Sequence, residues 1–371
     1  MIMYLDEKPA GTQPFFGYLA FQAVHIPVQA PRHFSDHYRG RFDAGWVEIR
    51  RQRAARAREL GILPPGAAVQ DMPQSAAAWA SLSDAERRTY ARSMEVYSGM
   101  LEAMDASIGR LISHLAARGE LENTLFVVTS DNGPEPSDPV HAPGMDLWMA
   151  QHGYHRNLQT LGERGSLNYI GPNWAAAISA PGSLYKFYTS EGGIHVPLIL
   201  SGPGVPAARR VSATTFVTDV TPTILDLASA PAAPAGTVSL DGRSLRSVLG
   251  GGAATAHPAD EAVGMEVSGN AALFRGNWKL VRNMAPHGDG RWRLFDMATD
   301  PGETRDRSAD QPELYRSLLA DYAAYERRVG VQPLPAGYSS MKQVARNAIE
   351  RQIGFALPAL AALILGLVAL V

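Results

Sequence analysis

An α/β fold with a smaller α+β element after it is predicted from three observations. The run Leu125 to Val128 is short, apolar and partly β-branched, and it ends at Ser130-Asp131-Asn132-Gly133, as a buried strand running into a turn does. A long amphipathic pattern, Ser83 to Arg118, enters that strand within a few residues, which is the spacing of an α/β unit. Beyond Glu261 the pattern changes to short strand-like runs followed by one helical stretch.

Phe15 to Ala23 reads as a further buried strand, with His25 just past its carboxyl end. The arginine-rich segment Arg32 to Arg58, interleaved with alanine and glutamate, reads as a solvated helix. Within the long helix, Ser83 and Glu86 form a capping-box signature. Tyr90, Met94, Tyr97, Leu101, Met104, Ile108, Leu111 and Leu115 make one apolar stripe, read as core, and Gly119 supplies the stop. Pro134 to Ser183 is expected to be irregular and ordered, because it is rich in Gly, Pro and Trp. It contains His141, His152 and His155; the spacing of the last two resembles one turn of a metal-binding helix, but no third ligand at matching spacing appears. A second buried strand is expected at Val196 to Leu200, and a helix from Asp219 with Pro222 in its first turn. Ala271 to Phe274, Trp278 to Val281 and Trp292 to Phe295 read as strands, and Pro312 to Arg328 as a helix. The organisation expected is an α/β body over 1–250, an α+β subdomain over 257–335, a linker over 336–352 and a membrane helix over 353–371.

The last of these rests on 19 residues, Ile353 to Val371, without a charged or strongly polar side chain. As a helix they would reach about 28 Å, close to the thickness of a bilayer core. Lys342, Arg346 and Arg351 precede the run, so the expected localisation is membrane-associated through a C-terminal anchor. The positive-inside rule favours a cytoplasmic soluble part, but one weak flank leaves cytoplasmic and periplasmic orientations both open. No secretory signal is visible at the beginning of the chain. A balance of 34 basic and 36 acidic residues argues against a nucleic-acid partner, and the lack of cysteine excludes disulfides, zinc-thiolate sites and cysteine nucleophiles.

Ligands of α/β sheets bind at the carboxyl ends of strands, which draws attention to His25, to Asp131 and Asn132, and to Lys186. Asp131 and Asn132 offer adjacent hard oxygen donors of the kind that Ca²⁺ or Mg²⁺ prefers. The ordered segments AFQAVHIPVQAP, VVTSDNG, LYKFYTSEGGIHVPLIL and FVTDVTPTILDLA, with RLFDMATDPGETRD further on, resemble the type I sulfatases, and the bacterial arylsulfatases in particular. The similarity runs from about Phe15 to Val329.

That resemblance implies an alkaline-phosphatase-like fold, with a mixed sheet flanked by helices, and metal-dependent hydrolysis of sulfate monoesters. It implies that Asp131 and Asn132 are two ligands of a calcium ion, with magnesium less favoured. It implies that His25 protonates the leaving group and that Lys186 lies beside the sulfate. Three departures accompany it. The family's nucleophile is a formylglycine made from the first residue of C/S-x-P-x-R, and this chain has no such motif; Ser137-Asp-Pro-Val-His141 ends in the wrong residue. The family's upstream acidic ligands, arginine, lysine and histidine have no counterpart before Phe15. His195 stands where relatives usually carry arginine. The chain therefore reads as the downstream portion of a sulfatase, N-terminally incomplete, inactive alone and with an upstream sulfatase fragment as a potential partner. Two alternatives stand beside this: a membrane-anchored, non-catalytic binding protein, and a phosphate or phosphonate monoester hydrolase of the same superfamily.

Overall fold

The computed structural model describes residues 1–350 except 8, 12, 74–76, 143, 232–235, 336, 340–341, 344–345 and 348–349. The expected membrane helix at 353–371 lies outside the described residues, as does part of the linker before it. Among the described residues no helix is long and apolar enough to cross a membrane.

Among the described residues, five helices have eight residues or more: α1 (Gly45–Glu59), α2 (Asp84–Ala117), α3 (Gly171–Ile178), α4 (Val220–Leu227) and α5 (Pro312–Val329). The capping box at the start of α2 is formed, with the Ser83 side chain accepting from Glu86 N and the Ser83 backbone donating to the Glu86 carboxylate. Gly119 follows the helix with a φ of +70°, the left-handed stop that the sequence predicts.

α1 and α3 pack together around the main core, where Trp46 and Trp174 are fully buried and meet edge to face at 5.7 Å. α3 lies inside the segment expected to be irregular, because its alanine triplet and Trp174 form one buried turn after Pro172. The solvated reading of α1 also needs correction. Arg50 is buried, and its guanidinium donates to the carbonyls of Gln70, Ala176 and Gly182 at 2.9, 2.5 and 3.0 Å. Burial lowers its pKa to about 10, which still leaves it charged at neutral pH. A planar fork whose three nitrogens each meet a carbonyl can be buried without a direct carboxylate contact.

The body's strands β1 (Phe126–Thr129) and β2 (Leu198–Ser201) form an antiparallel pair in the register Phe126↔Ser201 to Thr129↔Leu198. Both were expected to be fully buried. Instead Val128 and Ile199 are 38% and 58% exposed. The predicted strand at Phe15 to Ala23 is absent, and that segment is irregular and exposed, with Phe16 and Tyr18 near 80%. A strand needs a ladder partner for its N–H and C=O groups, and none of the described residues supplies one here. The α2 stripe is core only in part. Met94 and Leu115 are buried, whereas Leu101, Ile108 and Leu111 line an open cleft of 2250 Å³ shared with the Phe15–Phe21 segment and both strands.

The C-terminal subdomain is an antiparallel meander, β3 (Ala262–Val267), β4 (Asn270–Arg275), β5 (Trp278–Arg282) and β6 (Arg293–Asp296), in that spatial order. α5 packs on one face through Leu318 and Tyr322, against Leu273, Leu280 and Leu294. The sequence reading missed β3. Its interior Gly264 marks a close approach, since a Cβ there would lie 2.4 Å from the Tyr325 ring.

Candidate active site

The site is built where the turn after β1 meets the segment Ser183–His195. Gly133 N donates to Gly193 O at 2.8 Å, and a Cβ on Gly133 would sit 1.9 Å from the Gly192 carbonyl oxygen. Only glycine allows that approach. Gly192 N in turn donates to Ser183 O at 2.8 Å, so the two loops are sewn together by backbone.

Lys186 lies in a tight turn between Leu184 and Phe187, whose φ values of +57° and +81° put both in the left-handed region. Such conformations cost about 1–3 kcal/mol each and persist only where the surroundings impose them. Lys186 N donates to Pro134 O, which fixes the turn against the β1 loop. The side chain then reaches His25, with Nζ to Nε2 at 3.1 Å across 161 positions of sequence. His25 Nδ1 faces its neighbour's carbonyl, Ile26 O, at 3.1 Å. With that nitrogen donating, Nε2 is the end of the ring turned to Lys186.

A third group completes the cluster, one that sequence reasoning missed. Glu135 Oε2 is 2.6 Å from Lys186 Nζ and 3.3 Å from His25 Nε2. Its Oε1 accepts from the Ser137 backbone at 3.0 Å and from the Ser137 hydroxyl. Burial pushes the carboxyl's pKa up, but Lys186 and Ser137 outweigh it and hold the group below the usual range, so it is ionised at neutral pH. Its one sequence signal is its place two residues beyond the S-D-N-G turn.

Asp131 and Asn132 line the same cleft as His25 and Glu135. Asn132 Nδ2 donates to Asp131 Oδ1 and to Gly133 O, both at 3.2 Å. The amide nitrogen is thereby engaged, and the oxygen is the end left for a cation. The donor types fit a hard metal ion, but the number does not fill the roughly 6–8 oxygens calcium takes. Among the described residues no group of three or more His, Asp or Glu could hold a metal. The other histidines are placed elsewhere. His141 pairs with Asp138, His152 stacks on Trp148, and His155 lies on an isolated bridge to Ser166.

Behind the turn lies a buried ion network. Lys279 of β5, fully buried, reaches Glu191 Oε1 at 2.6 Å and Glu303 Oε1 at 2.8 Å. The other Glu303 oxygen accepts from Ser183 Oγ at 2.5 Å and Glu191 N at 3.2 Å. Glu191 Oε2 meets His195 Nδ1 at 2.7 Å, and this hydrogen bond raises the histidine's pKa against the opposing effect of burial. The C-terminal subdomain thus holds the Gly192-Gly193 turn from beneath.

With the geometry in place, the similarities to other proteins decide the family. The sulfatase family model matches residues 1–230. The chain belongs to the sulfatase family. The chain is 33% identical over 340 residues to an uncharacterized sulfatase of Schizosaccharomyces pombe, covering 87% of this chain and 60% of that one. It is 34% identical over 218 residues to an arylsulfatase of Klebsiella aerogenes, covering 58% of this chain and 46% of that one. The chain therefore spans about half to three-fifths of the length of these relatives. Among solved structures it resembles Ps i-CgsB, crystallised in complex with a neocarrahexaose, at a TM-score of 0.56 and 20% identity, over 94% of this chain and 57% of that one. That likeness concerns the fold, and it agrees with the α/β class read from the sequence.

Proposed function

We propose that this chain carries the leaving-group side of a sulfate-monoester hydrolase site of the arylsulfatase type. In this reading His25 gives a proton to the departing alcohol oxygen, and Lys186 is the cation beside the sulfate. The observation that carries it is the meeting of these two side chains at 3.1 Å from distant parts of the chain. Sulfate-ester cleavage develops negative charge on the leaving oxygen, so a positioned proton donor with a cation beside it lowers the barrier. Asp131 and Asn132 would hold a calcium ion, which when bound polarises the sulfate oxygens and weakens anion–anion repulsion.

The remaining oxygen donors and the formylglycine nucleophile belong, in this reading, to polypeptide outside these 371 residues. Support comes from the shortfall of ligands around Asp131 among the described residues and from the partial span of the relatives. The chain alone would then be without turnover. The apolar run 353–371 would tether it to a membrane.

The test is a chromogenic aryl sulfate offered to the purified 371-residue chain. The expected result is no hydrolysis above buffer; appreciable hydrolysis that disappears in His25→Ala would sink the half-site reading.

A further inference from the structure

The lysine and histidine proposed for the sulfate are not free to receive it. Glu135 bridges both through one oxygen, at 2.6 Å from Lys186 and 3.3 Å from His25, while its second oxygen is held by Ser137. The carboxylate is 11% exposed and Lys186 19%, so this is a partly desolvated pair rather than a loose surface contact. A carboxylate and a sulfate ester are both oxyanions that bind a lysine through one or two oxygens. Placed together on one ammonium they would repel each other strongly in a half-buried site.

From this we infer that Glu135 is a built-in competitor for the oxyanion site: its carboxylate occupies the Lys186–His25 pair, and a sulfate ester enters by displacing it. The inference rests on the sulfate-site reading above. Glu135 lies in the loop after β1, and Ser137 remains a partner for the carboxylate once it turns off the lysine. The exchange conserves charge, one anion replacing another on the same cation. It selects for ligands whose anionic group binds Lys186 and His25 better than a carboxylate already in place, a condition that a tetrahedral sulfate with several oxygens meets more readily than a carboxylate ligand. A binding-competent form that is only a fraction of the population weakens apparent affinity by that fraction, and removing the competitor restores it.

The experiment is an isothermal titration of the full chain with inorganic sulfate at low ionic strength, for wild type, Glu135→Gln, Glu135→Ala and the double variant Glu135→Gln/Lys186→Met. Both single variants should bind sulfate roughly tenfold more tightly than wild type. The added Lys186→Met change should abolish the gain. Two variants at Glu135 guard against one of them folding poorly, which circular dichroism would reveal. Binding to wild type and Glu135→Gln of equal strength, lost in both on Lys186→Met, would overturn the competitor role while leaving the sulfate site standing. Binding indifferent to Lys186 would overturn both, and no sulfate binding by either Glu135 variant would overturn the competitor role.

Discussion

Replacing Lys279 with methionine is expected to destabilise the folded chain by about 3–5 kcal/mol, the usual cost of breaking a buried ion pair by removing one partner. Lys279 is fully buried, and its ammonium is the shared counter-charge of two buried carboxylates, Glu191 and Glu303. Without it, both carboxylates are left in low dielectric with too few donors. Urea unfolding of the two proteins measures the difference directly. The triple variant Lys279→Met/Glu191→Gln/Glu303→Gln should recover part of the loss, since the penalty comes from the stranded charges rather than from the missing lysine. The sign of the pH dependence follows. Burial pushes Glu191 up, but Lys279 and His195 together hold it below the ordinary value of 4.5. Its contribution is therefore present above pH 4.5 and lost as the pH falls through the depressed folded value. The gap between wild type and Lys279→Met should accordingly narrow as the solution is acidified.

Gly133→Ala is expected to cost about 1–3 kcal/mol, through overpacking against a backbone that cannot yield. The new methyl would lie 1.9 Å from the Gly192 carbonyl oxygen, and relief requires parting the Gly133–Gly193 hydrogen bond. The two loops that it joins carry Asp131 and Asn132 on one side and Lys186 on the other, so the same change should loosen the site as well as the fold. The comparison to make is denaturant unfolding against Gly119→Ala, where the added methyl meets nothing within 4 Å and only the φ of +70° opposes it.

What could be read from the residues alone follows from how local each cause is. α2 was legible because its cap, stripe and stop are all encoded within its own stretch. β4, β5, β6 and α5 were legible for the same reason, each lying within a residue or two of its expected bounds. β3 was not, because Gly264 interrupts its pattern for the sake of Tyr325 on α5. Phe15 to Ala23 has a strand's composition, but strand formation is decided by a neighbour, and none of the described residues pairs with it. Arg50 looked solvated among other arginines, and three carbonyls from distant loops decide otherwise.

The site divides along the same line. His25, Asp131, Asn132 and Lys186 could be named from ordered motifs, each with a recognisable local setting. Their relations could not. The contact between His25 and Lys186 spans 161 positions, and Glu135 takes its importance wholly from touching both. Lys279 likewise has no local sign of its role, since its partners are 88 and 24 residues away.

The central proposal is that Asp131 and Asn132 are two donors of a calcium site that these two residues do not complete. Calcium titration of the purified 371-residue protein, followed calorimetrically beside Asp131→Ala, tests it most directly. Two donors leave most of the roughly 6–8 coordination positions to water, so the expected result is no calcium binding tighter than micromolar and little change on substitution. Sub-micromolar calcium binding that is lost in Asp131→Ala would contradict the claim.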